Sequence, residues 1–247
     1  MLVRLAPLFL LLLVWQLGSR IVSPGTLPAP LAVMSVVGAE AWSGALFVNL
    51  AITLARVAAS FALAMVLGTA VGALMGRYKT VDRLCDPLVI VLLNLPALVV
   101  IVLAYIWVGL NEAAAIGAAA LNKLPNTAVT LREGTRALDE SLDEMARVFN
   151  LPLGAKVRHV VLPQLAPYFA AAMRSGLSLV WKIVLVVELL GRSNGVGFEI
   201  GIAFQLFDVT RLLAYALPFV GLMLAIETLI VQPVERHVSR WRPPHGA

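Results

Sequence analysis

The fold class this sequence predicts is all-α: a polytopic transmembrane helical bundle of about six spans. Hydrophobic residues make up 60% of the chain and charged residues only 13%. Mean hydropathy is +0.91, far outside the range of soluble domains. The apolar residues gather into runs of roughly 20, the length a helix needs to cross a hydrocarbon core of about 30 Å.

The composition also narrows the chemistry. One cysteine, Cys85, leaves no intrachain disulfide and no cysteine-based metal cluster. His159, His237 and His245 all fall in polar segments. The net charge of +5 superficially suggests a nucleic-acid partner. In a membrane chain it reads instead as the cytoplasmic excess of Lys and Arg that sets orientation, so no nucleic acid is expected.

The predicted spans are Leu2–Leu17, Leu46–Met75, Leu88–Leu110, Ala113–Leu131, Met173–Leu190 and Leu212–Val231. Arg77, Lys79 and Arg83 follow the second span. Arg132, Arg136, Arg147, Lys156, Arg158 and Arg174 flank the fourth and fifth, and Arg236, Arg240 and Arg242 close the chain. The alternate loops hold only Arg20 and Arg192, with Arg211 at a border. This asymmetry predicts that both termini and the loop at 139–163 are cytoplasmic. The first run also has the charged and apolar regions of a signal peptide, but Gly18-Ser19-Arg20-Ile21-Val22 lacks an A-x-A cleavage site, which favours a retained first span.

The expected organisation is one integral membrane domain over residues 1–247. It has a first span at 1–17, an external segment at 18–44, a core transmembrane region at 45–232 and a cytoplasmic tail at 233–247. The prolines of Ser23–Pro30 are expected to block a helix in the external segment and favour extended chain.

The loop at 139–163 has its own periodicity. Leu142, Met145, Ala146 and Phe149 recur at i, i+3, i+4 and i+7 among Asp139, Glu140, Asp143, Glu144 and Arg147, which predicts a short amphipathic helix with acids toward its positive end. Asn150 tolerates the left-handed conformation that closes a helix, and Leu151-Pro152 bars continuation. A second short helix should run to Leu162, with Pro163 breaking it before the fifth span. On periodicity alone, the loop could equally lie on membrane lipid, which Lys156, Arg158 and His159 would support.

The stretch Glu144–Pro163 resembles the EAA loop of ABC-type importer permeases, E-A-A-x3-G-x9-I-x-L-P. Glu144, Ala146, Leu162 and Pro163 match; Met145 stands for the second Ala, Asn150 for the Gly and Val160 for the Ile. Leu27-Pro28-Ala29-Pro30, Thr53-Leu54-Ala55-Arg56-Val57, Gly72-Ala73-Leu74-Met75-Gly76, Trp181–Glu188 and Gly195-Val196-Gly197-Phe198 are similar to segments of the nitrate/sulfonate/taurine-type permeases.

The resemblance implies a type I ABC importer permease-like fold in a bacterial cytoplasmic (inner) membrane. It further implies a second permease copy in a homodimer, two ABC ATP-binding subunits and an extracytoplasmic solute-binding protein. Glu144, Met145, Ala146, Phe149, Asn150, Gly154, Val160, Leu162 and Pro163 would carry the coupling to the ATPase. ATP and Mg would be bound by the partner subunit, with no cofactor in this chain, which has no Walker-type phosphate loop. The expected activity is uptake of a small solute, best a sulfonate, nitrate or carboxylate anion. A non-importer scaffold or exporter subunit is the alternative. An intramembrane enzyme is disfavoured, since no histidine lies in a span and no H-E-x-x-H occurs.

Ionisable residues inside spans are costly and therefore candidates for function. Arg56 is expected to snorkel at the outer surface. Lys123, Lys182 and Glu227 fall at a similar depth, roughly 12–14 Å from the inner face at about 1.5 Å of rise per residue, and Glu188 nearer the outside. Two arrangements stay open. Lys123 or Lys182 pairs with Glu227 to hold the bundle, or the two lysines form a positive layer along an anion pathway.

Overall fold

The structure, a computed structural model, describes residues 2–233. The expected tail from residue 234 on, with Arg236, His237, Arg240, Arg242 and His245, lies outside the described residues. Among those residues all regular structure is helical. The elements are α1 (Leu2–Ile21), α2 (Pro30–Trp42), α3 (Ala45–Arg77), α4 (Lys79–Asn94), α5 (Ala97–Val108), α6 (Glu112–Arg136), α7 (Glu140–Val148), α8 (Leu153–Lys156), α9 (Leu162–Gly191), α10 (Val196–Gln205) and α11 (Val209–Ile226). Two π-turns, Val157–Val161 and Glu227–Val231, extend α8 and α11.

Among the described residues, three helices are long and apolar enough to cross a membrane: Ala45–Arg77, Leu153–Gly191 and Val209–Val231. The pair α4 and α5 makes a fourth if taken as one bent span. The expected uninterrupted span Leu88–Leu110 is thus corrected, because α4 and α5 meet at 102°. Pro96 has no N–H to donate and disfavours helical backbone in the residue before it. Leu95 accordingly adopts φ −71°, ψ 126°, and the Asn94 amide donates to Ile90 O at 2.8 Å, satisfying one of the last carbonyls.

Two further expectations are revised. Only residues 22–29 and 43–44 of the Pro-bearing segment 18–44 are non-helical; Pro30 opens α2, since a fixed φ and a missing N–H suit the first helical turn. Nor does Pro163 end the helix before the fifth span, for the chain is helical from Leu153 to Gly191. The π-turn widens the backbone one residue ahead of the proline, with Leu162 N–H bonded to Val157 O, which relieves the clash and the missing donor a proline brings to a regular helix. The same device recurs ahead of Pro233, where Gln232 N–H bonds Glu227 O.

Contacts among the described residues divide them into two compact units, those up to Ala55 with Leu185–Leu224, and Arg56–Val184 with those from Ala225 on. In the first, the Trp15 indole donates to Pro28 O at 2.9 Å. Glu40 of α2 accepts from the Tyr215 hydroxyl at 2.7 Å, and Arg211 pairs with Glu199 at 2.9 Å.

In the second unit, α6 packs on α4 and α5, and Arg132 and Arg136 of α6 pair with Asp86 and Asp82 of α4, each at 2.5 Å. Although α6 covers the expected fourth span, it buries mainly small residues: Ala114, Ala115, Ala118, Ala119, Ala120 and Ala128. Gly68, Gly72 and Gly76 of α3 face Thr127, Ala128 and Thr135 of α6 so closely that an added Cβ would collide at each. Small residues at this spacing let two backbones approach, as membrane helices require when no hydrophobic force drives them together.

Gly72→Ala should therefore destabilise the protein by about 1–3 kcal/mol, the usual range for overpacking, because the new Cβ meets the backbone carbonyl of Ala128. Gly117→Ala, whose Cβ would meet nothing within 4 Å, should be neutral or slightly stabilising. Thermal unfolding in mild detergent checks the pair, and equal melting temperatures would contradict the stripe.

Candidate functional site

The segment 139–163 forms a stapled hairpin. Asp139 caps α7, its carboxylate accepting from the Ser141 hydroxyl at 2.7 Å and the Ser141 N–H at 2.8 Å. Those bonds hold its carboxyl below the usual carboxylate range. The Asp139 N–H donates to the Gln164 side chain of α9 at 2.8 Å, fixing the root of the hairpin.

At its other end α7 closes as the sequence predicts. Asn150 adopts φ 50°, Asn150 N–H bonds Arg147 O at 3.0 Å and Leu151 N–H bonds Ala146 O at 2.9 Å. This is the paired closure of a Schellman motif, which needs a left-handed residue at the position Asn150 holds. Pro152 then caps α8. Lys156 reaches back across the bend to Asp143 at 2.5 Å, and Arg147 pairs with the same carboxylate at 2.9 Å. The Lys156 hydrogen bond first, and then Arg147, hold the Asp143 carboxyl below its usual range.

Most of the apolar residues of the hairpin point away from the chain. Of the predicted face, only Ala146 is buried, joined on the return arm by Val160. Phe149 is 72% and Leu153 78% exposed, and Met145 and Leu162 are also exposed. Glu144, Asn150, Gly154 and Pro163 are exposed as well, and a Cβ on Gly154 would meet nothing. The bend thus presents apolar side chains that none of the described residues covers, as interaction surfaces do. The Asp143–Lys156 staple and the Gln164 anchor were not visible in the sequence, since both depend on the bend bringing distant residues together.

Among the intramembrane candidates, Glu188 is 0% exposed and occupied in capping. It accepts from Thr53 Oγ1 at 2.9 Å and Gly197 N–H at 2.8 Å. Thr53 Oγ1 in turn accepts from Val196 N–H, and Asn49 Oδ1 from Gly195 N–H, both at 2.8 Å. Three successive donors at the start of α10 are thereby satisfied, beside a carboxylate placed where the helix dipole favours it. Gly195 sits at φ 103°, and a Cβ there would strike the Glu188 carboxylate.

Arg56 does not snorkel. It is 4% exposed and holds Glu112 through Nε at 2.8 Å and Nη2 at 2.6 Å, because the partner at the start of α6 offers both carboxylate oxygens to the planar fork. Lys123 is also buried, with Nζ 3.4 Å from Ser175 Oγ. Lys182 is exposed and lies 5.7 Å from the centre of the Trp181 ring. Among the described residues neither lysine forms an ion pair with Glu227, which lies in the second π-turn. Near the lysines, a chamber of about 440 Å³ opens beside the α4–α5 break, lined by Leu93, Leu95 and Ala97, by Asn122 and Asn126 of α6, and by Ser175, Ser178 and Lys182 of α9.

Two outcomes follow for the hairpin. Asn150→Gly should keep the bend, whereas Asn150→Val should weaken it by about 1–2 kcal/mol, the penalty of left-handed backbone for an L-residue; faster amide exchange at Leu151 reads the difference. The Asp143 pair, with its carboxyl pKa depressed in the folded state, contributes above the unfolded carboxylate value of about 3.9 and is lost only as pH falls through the lower folded value. Exchange in 149–156, corrected for intrinsic rates, should therefore be flat between about pH 5 and 7 and faster throughout in Asp143→Asn.

The model of a family described as binding-protein-dependent transport system inner membrane component matches residues 64–240. The SsuC protein of Escherichia coli (strain K12), named as an aliphatic sulfonates transport permease protein, is 31% identical over 99% of this chain and 94% of its own length. Its namesake in Bacillus subtilis (strain 168) is 30% identical over 93% and 83%. The taurine transport system permease protein TauC of Escherichia coli is 25% identical over 97% and 88%. An inward-facing structure of the MetNI methionine ABC transporter shares the fold, with a TM-score of 0.67 at 20% identity over 81% of this chain and 99% of that one. With its helical fold and several apolar helices, this multi-pass membrane chain belongs to the family of binding-protein-dependent transport system inner membrane components.

Proposed function

We propose that the chain is the membrane-spanning permease subunit of an ATP-driven importer, which passes a small solute from an extracytoplasmic binding protein to the cytoplasm by alternating access. The observation that carries this reading is the 139–163 hairpin. It is stiffened by Asp143–Lys156, closed at Asn150 and tipped with exposed Phe149 and Leu153. A rigid knob of this kind seats in a groove of a partner and moves with it.

In this reading two ABC ATP-binding subunits hold ATP and Mg and supply all hydrolysis, and a second copy of this chain completes the membrane path. Six spans, with α4 and α5 forming one bent span, put both termini and the hairpin in the cytoplasm of a bacterial cell, where the ATPase works. ATP shifts the assembly between outward- and inward-facing states because the partners contact the hairpin differently in each.

The relatives named for aliphatic sulfonates and taurine favour a small anion as cargo. Lys123 and Lys182, which pair with no acid among the described residues, favour it too.

A tagged chain purified in mild detergent from its native host should bring down an ATP-binding subunit with measurable ATPase activity. Glu144→Arg, which reverses charge on an exposed face without disturbing any buried group, should release that subunit and leave the permease folded. A lone wild-type chain would point to a membrane scaffold instead.

A further inference from the structure

We propose that the chamber beside the α4–α5 break is a subsite that holds the oxyanion head of the transported solute, with Lys182 as its charge partner; this rests on the importer reading above. Non-helical backbone at membrane depth is tolerated where it is buried in protein or lines a cavity, and discontinuous helices mark solute sites in transporters. Here the break falls at Leu95-Pro96, and Leu95 and Ala97 border the chamber. The volume, about 440 Å³, lies within the range of small-molecule sites.

The lining selects among cargoes. Among the described residues its polar side chains are Asn122, Asn126, Ser175, Ser178 and Lys182, with no carboxylate. The Asn126 amide makes no side-chain hydrogen bond among the described residues, leaving two donors and an acceptor uncommitted. The Ser175 and Ser178 hydroxyls rest on carbonyls of the preceding turn, Ala172 O at 3.3 Å and Ser175 O at 3.2 Å, bonds that a better acceptor replaces. Behind the wall, Lys123 Nζ touches Ser175 Oγ. Gly176 makes room for that lysine, since a Cβ there would collide with Lys123 Cε.

Two ammonium groups with no acid at ion-pair distance among the described residues repel a cationic solute. They leave a neutral one without a counter-charge to offer, whereas a sulfonate or carboxylate supplies both charge and acceptors. The leucine and isoleucine side chains of α4 and α9 complete the wall and suit a short alkyl tail.

The test uses the transporter assembled with its ATPase and binding protein. Cys85→Ser removes the native thiol and Ala97→Cys places a reporter in the chamber. Labelling rates are compared for sulfonatoethyl and trimethylammonioethyl methanethiosulfonate, each divided by its rate with a free thiol. The anionic reagent should be favoured at least about tenfold, Lys182→Gln should remove most of that preference, and ethanesulfonate should slow labelling where chloride at equal ionic strength does not. Equal normalised rates overturn the subsite, as does a preference that survives Lys182→Gln. Failure of both reagents at Ala97→Cys and at a second reporter, Leu179→Cys, overturns it as well. Stimulation of the Cys85→Ser parent's ATPase by the binding protein separates the two levels. If it is present without charge preference, only the subsite is wrong; if it is absent, the importer reading fails and the subsite with it.

Discussion

A backbone N–H or C=O left without a partner in hydrocarbon costs several kcal/mol, and this chain interrupts its helices again and again. Several of these bends and breaks come with their own source of partners. The start of α10 borrows Asn49, Thr53 and Glu188. Pro163 and Pro233 each follow a π-turn that accommodates them. The end of α4 uses its own Asn94, and α7 closes on Asn150. At these places the chain bends with backbone groups satisfied by nearby polar side chains or by a widened turn.

The proposed working parts sit at two of these interruptions. The hairpin owes its rigidity to the closure at Asn150 and the ion pair across it, which leave its apolar side chains free for a partner. The chamber lies beside the break at Pro96, with Leu95 and Ala97 on either side of that proline in its lining. Between them in the second unit, the close seam of α3 and α6 supplies stiffness from small residues rather than large ones. A mechanical element needs such a seam if motion at one end is to be felt at the other.

Much of this was legible in the sequence, for identifiable reasons. Long apolar runs announce helices directly, and the 3.6-residue period with Asn150 and Pro152 behind it announced α7 and its left-handed closure. The resemblance of residues 144–163 to the EAA loop pointed to the family that the comparisons then showed. What the sequence hid were relations between distant positions. Arg56 reads as an interfacial residue until Glu112 is brought to it, and Glu188 as a bare charge within a span until the start of α10 donates to it. Pro163 reads as a helix end because one-dimensional rules know the cost of proline in an α-helix but not its accommodation by a π-turn. The four prolines and glycines of 23–30 suggested a long extended segment, when Pro30 is the residue that starts α2.

In the proposed transporter the exposed tip of the hairpin seats on an ATP-binding subunit. Replacing Phe149 with the photoreactive analogue benzoylphenylalanine and illuminating membranes from the native host tests it directly. The expected product is a covalent adduct with the ATP-binding subunit whose yield changes when ATP is trapped unhydrolysed. Adducts with lipid alone, in membranes where the permease and the ATPase still co-purify, would contradict it.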